Sequence, residues 1–128
     1  MTVGQRNSTL SERARHANAV IEAVAAHGPR FFHYARTNAT AQFEITRSGR
    51  LTYRDEMTTR AFVPDATKRW PSFSQSGEVR GLVIALARYV RDGAPAPSRL
   101  LDLPGYDPRE RDLVKRMAKT SPAISERD

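Results

Sequence analysis

The chain of 128 residues contains no cysteine. Disulfides, thiolate metal sites and cysteine nucleophiles are therefore excluded. Lysine is scarce: Lys68, Lys115 and Lys119 are the only three among 21 cationic side chains. Long apolar runs are missing too. The longest, residues 82–87, falls far short of the roughly 20 residues that cross a bilayer. The glycines stand singly, so no glycine-rich loop cradles phosphate. His16, His27 and His33 are scattered, without the paired spacing of a metal site. No serine-hydrolase elbow and no internal repeat occur. The first twenty residues carry no apolar signal-peptide core, which fits a cytoplasmic setting. The expectation is a protein without membrane, metal or cofactor.

What is present is arginine. The 21 Lys and Arg face 14 Asp and Glu, for a net charge of +7. That balance favours polyanionic partners, namely nucleic acid or an acidic protein. Arginine suits phosphate and carboxylate because its planar fork donates in pairs. Codon bias in a GC-rich genome would give the same composition. The charge is also spread: residues 1–64 hold 9 basic against 5 acidic side chains, and residues 65–128 hold 12 against 9. No basic tail is set apart to wrap a nucleic acid.

Periodicity divides the chain. Leu10, Ala14, Ala17, Ile21 and Val24 recur at helical spacing, with Arg13, Arg15, Asn18 and Glu22 on the other side. Ser8 or Ser11 would open this helix, and Gly28-Pro29 would stop it near His27. Residues 30–37, 40–47, 50–56 and 60–64 are rich in aromatic and β-branched side chains and read as an antiparallel meander. A three-residue loop over Arg47, Ser48 and Gly49 sets Ile45 opposite Leu51 and Phe43 opposite Tyr53, with Gly49 left-handed. A two-residue turn at Asn38-Ala39 would set Phe32 opposite Ile45 and His33 beside Glu44. Residues 65–75 read as a connection. Val79, Leu82, Val83, Leu86, Ala87 and Val90 then form a wide apolar stripe on a second helix, which opens at residues 76–78 and closes at Gly93. Leu100, Leu101 and Leu103 should pack back on the core. Asp107, Pro108 and Glu110 are cap, first turn and capping-box partner of a helix running to about Lys119. The fold class is α+β: a helix, a four-stranded meander, a core helix on one sheet face and a C-terminal helix. Residues 1–93 form the core, and residues 94–128 add a linker, the last helix and a polar tail of the same domain.

Two constellations carry possible chemistry. On the open sheet face, Glu44 as base, His33 as acid and Arg54 as phosphate clamp would suit metal-independent cleavage of RNA. The same residues also read as an ordinary cross-strand polar pair. The second constellation is a binding surface: Arg36, Arg47, Arg50, Arg54 and Arg60 on the meander, followed by Lys68, Arg69 and Trp70. Basic residues among aromatics hold a phosphate backbone and stack bases. Against this, strand ends are commonly solvated arginines, and Trp70 beside Pro71 would seal the core edge.

Several stretches resemble a loose group of small proteins carried by bacterial phages and other mobile elements. They are Gly28-Pro29-Arg30-Phe31-Phe32, Phe43-Glu44, Gly49-Arg50-Leu51, Arg69-Trp70, Phe73-Ser74, and the helix 77–93 with Leu82, Leu86, Tyr89 and Val90. Where that group would start its helix with a His-Gly-Gly-Thr-Leu type of sequence, this chain has Ser74-Gln75-Ser76-Gly77-Glu78. The resemblance implies a cytoplasmic accessory role and carries over no functional residue. The readings that follow are a non-enzymatic basic module contacting nucleic acid, a protein-binding inhibitor of a host system such as a defence nuclease, and a small ribonuclease.

Overall fold

A computed structural model describes residues 9–27, 31–56, 61–64 and 77–125, with backbone only at 77 and 78. Helix α1 spans Leu10–His27. Its cap is Thr9, between the two expected serines, Ser8 and Ser11. The Glu12 N–H donates to Thr9 Oγ1 at 3.0 Å, and the Thr9 N–H donates to Glu12 Oε1 at 2.9 Å. This reciprocal box satisfies two donors that a helix start leaves open. Ala17, Val20, Ile21 and Val24 are fully buried, each of the larger three contributing roughly 1.5–3 kcal/mol. The helix touches both other helices and the sheet, so it sits at the centre of the fold.

The strands depart from a single meander. Strands β1 (His33–Tyr34) and β2 (Ala39–Thr40) form a separate antiparallel hairpin. Strands β3 (Gln42–Ile45), β4 (Leu51–Arg54) and β5 (Ala61–Phe62) form a three-stranded antiparallel sheet in that order. The register of β3 on β4 is the expected one, Ile45 opposite Leu51 and Phe43 opposite Tyr53. The register of β1 is not. His33 faces Thr40 and Tyr34 faces Ala39, around a loop over residues 35–38. Asn38 closes that loop in the left-handed region, φ 53°, and its N–H donates to the Ala35 carbonyl at 3.2 Å.

The reason lies on the edge of β3. Asn18 does not face away from the core; it is half-buried against the sheet. The Phe43 N–H donates to Asn18 Oδ1 at 2.6 Å, and Asn18 Nδ2 donates to the Phe43 carbonyl at 3.0 Å. One side-chain amide thus takes both edge groups that a fourth strand would need. Just before it, the Ala41 N–H donates to the Phe32 carbonyl at 2.8 Å, which ends the β1 pairing. Phe32 is fully buried at φ 68°, a conformation that bulky residues rarely adopt.

Helix α2 (Gly77–Asp92) buries the six expected stripe residues and ends at Gly93, φ 82°. Arg13 ties it to α1: Nε donates to the Val90 carbonyl at 2.7 Å. His16 is half-buried, with Nδ1 2.7 Å from the Tyr89 hydroxyl, and is not a surface group.

The described residues after Gly93 add two short strands and a 3-10 turn to the expected helix. Strand β6 (Ala96–Pro97) pairs in parallel with β7 (Ile124–Ser125). A 3-10 turn (Ser98–Leu101) and helix α3 (Pro108–Ala118) lie between them. The α3 start carries the full capping box of Asp107 and Glu110. Leu101, Leu103, Val114, Ala118, Ala123 and Ile124 join the same apolar cluster as α1 and α2.

Candidate nucleic-acid interface

The β3–β4 tip closes on its own hydrogen bonds. The Thr46 N–H donates to the Arg50 carbonyl at 2.9 Å, and the Gly49 N–H donates to the Thr46 carbonyl at 2.8 Å. The Thr46 hydroxyl accepts from the Arg50 N–H and lies within hydrogen-bond distance of Ser48 Oγ, both at 3.0 Å. Gly49 sits at φ 87°, where a Cβ would be strained. Arg47 and Arg50 flank this loop. Both are exposed, and neither makes an ion pair among the described residues. The loop is held by its own hydrogen bonds, and two exposed cations flank it.

Arg36 lies exposed in the 35–38 loop, and residues 39–45 join that loop to the β3–β4 tip. Between them Thr40, Gln42 and Glu44 alternate outward while Ala41 and Phe43 are buried, leaving a polar face. Thr52 and Arg54 continue that face on β4.

Arg54 is not a free cation. Its Nη2 lies 3.0 Å from Glu44 Oε1, and its Nε donates to Glu44 Oε2 at 3.1 Å. Gln42 Nε2 donates to the same Oε2 at 2.7 Å. The Arg54 hydrogen bonds hold the Glu44 carboxyl below its ordinary range, against a smaller opposing effect of burial. Glu44 in turn raises Arg54. A carboxylate so occupied is a poor general base, because its lone pairs are already committed. His33 is not beside Glu44 either. Its Nδ1 lies 2.9 Å from Thr40 Oγ1, the cross-strand partner set by the β1–β2 register. The trio proposed for RNA cleavage is therefore two separate polar groups.

The sheet aromatics Phe43 and Tyr53 are buried in the core. Phe43 packs on Tyr53 at 5.2 Å and Tyr53 on Phe62 at 5.7 Å between ring centroids. Asp55 and Glu56, each 2% exposed, are buried acids that sequence reasoning passed over. With the burial of its own ring acting first, Glu56 and Asp55 push the Tyr53 hydroxyl far above its ordinary value. Arg60, Lys68, Arg69 and Trp70 lie outside the described residues. Among the described residues no cluster of metal-ligating side chains forms, and no helix is long and apolar enough to cross a membrane. No family model matches the chain, and no curated protein or solved structure matches it.

Proposed function

We propose that the protein is a non-enzymatic basic module that contacts the phosphate backbone of nucleic acid. Arg47 and Arg50 are the principal contacts, and Arg36 is a further one at the far end of the polar face. The observation that carries this reading is the β3–β4 tip, a hydrogen-bonded loop presenting two arginines that have no carboxylate partner among the described residues. A loop so held loses little freedom on binding, so its cations are spent on the ligand rather than on ordering the protein. The net charge of +7 adds long-range attraction. With Phe43 and Tyr53 in the core, the reading is one of backbone contact rather than base stacking. It includes no cleavage step.

Fluorescence anisotropy with labelled duplex DNA and duplex RNA across a salt series tests it. The affinity should fall steeply with salt, with a log–log slope of about −0.9 per phosphate contacted on duplex DNA. The R47Q/R50Q double variant should flatten that slope by about 2. Binding that ignores salt, or a double variant that binds like the parent, overturns the proposal.

A further inference from the structure

A second surface lies on the outer side of α2, and it does not depend on the reading above. Gly81, Ile84, Ala85 and Arg88 follow one another along one helical face. Opposite them stand Pro95, Pro97 and Leu100, and between the two walls is an open cavity of about 360 Å³. This is near the lower end of the roughly 300–1,000 Å³ of ligand sites, so it admits a few side chains and not a folded element. Three features bear on its occupant. Gly81 stands mid-helix, where glycine is less stable than alanine, yet a Cβ there would meet nothing within 4 Å. The chain's own packing does not require the missing side chain, whereas close approach of a ligand backbone would. Next, the Ala96 N–H donates to the Ala123 carbonyl at 2.7 Å, so the paired edge of β6 faces β7. Its other edge has Pro95 and Pro97, which carry no N–H, and so offers a carbonyl acceptor at Pro95 without a donor. Finally, Arg88 is exposed at the end of the groove and makes no ion pair among the described residues.

We infer that this groove binds a short apolar peptide segment of a partner protein whose carboxylate is held by Arg88. A peptide has N–H groups to give to the acceptor-only edge, and an alkyl chain has none. Its small side chains fill the space over Gly81 and Ala85, and its carboxylate matches Arg88 at the rim.

The test is an amide-resolved NMR titration of the full chain with N-acetyl-Ala-Ala-Leu as the free acid, its C-terminal amide, and decanoate. The free acid should shift Gly81, Ala85, Arg88 and Ala96 in a saturable way. The amide should bind about fivefold more weakly, the upper end expected for an exposed ion pair. R88Q should bring the free acid down to the affinity of the amide and leave the amide unchanged. Gly81→Leu, which fills the groove from a half-buried helical position where a Cβ meets nothing within 4 Å, should abolish both. Shifts scattered over the surface, equal binding of acid and amide, or saturable shifts with decanoate alone would each overturn the inference.

Discussion

Residues 39–45 serve two hairpins, and the two are held in different ways. The β3–β4 hairpin is determined by itself. Its loop closes on its own hydrogen bonds, its glycine supplies the left-handed residue, and its strands alternate cleanly between core and solvent. The β1–β2 hairpin is determined by its surroundings. It stops after Ala41 because Asn18 from α1 already holds the next edge position. A turn sets the register of a strand pair, but whatever claims the edge sets its length.

Removing the claimant is the strongest way to break that contrast. Asn18→Ala should cost about 2 kcal/mol in urea denaturation, because the N–H and carbonyl of Phe43 lose their partners in a half-buried place. Asn18→Asp should recover part of the loss, since a carboxylate still accepts the Phe43 N–H but donates nothing to its carbonyl. A fully stable Asn18→Ala variant would mean that β1 or water takes over the edge.

The two loops themselves give the next effect. Gly49→Ala should cost about 1 kcal/mol, from a Cβ forced to φ 87°. Asn38→Gly, at the corresponding left-handed position of the other loop, should stay within about 0.5 kcal/mol of the parent. Thermal or urea unfolding compares them directly, and equal costs would show that the loops are not built differently.

Glu44→Gln should have a small effect on stability, about 0–1 kcal/mol, because both partners are substantially solvated. The sign with pH is definite. The folded carboxyl titrates below its ordinary value of 4.5, so the stabilisation is complete above that value and is lost as pH falls through the lower folded one. In Glu44→Gln that acid-side loss should disappear. The substitution also releases the fork of Arg54 and raises the net charge, so nucleic-acid binding should tighten. Unchanged binding would confine the interface to Arg36, Arg47 and Arg50.

The helices, the β3–β4 register and the α3 capping box were legible because each rests on local signals that agree. Alternation in two adjacent runs and a glycine at the right offset leave one register for Phe43 and Tyr53. The β1 register was not legible because it depends on a long-range contact: nothing local distinguishes Asn18 facing the sheet from Asn18 facing water. The same holds for His16, whose partner Tyr89 lies in another helix. The ion pair of Glu44 and Arg54 could have been read. With Glu44 opposite Thr52, Arg54 is its diagonal neighbour on the same face, within reach of a long side chain. The Arg54 fork was therefore never free to clamp a phosphate, and the register already in hand implied as much.

The parallel pairing of β6 with β7 has a consequence for how the chain is born. Synthesis runs from the N-terminus, and α1, the hairpins and α2 are all complete by residue 92. The rungs at Ala96 and Pro97 wait for Ile124 and Ser125, and the Ser121 hydroxyl waits to donate to the His16 carbonyl. Until then the apolar flank of α1 that α3 will cover has no cover, and a nascent chain exposes it to any chaperone or neighbour at hand. The β7 strand is short, but the parallel pair that closes this end of the fold forms only once it has been made.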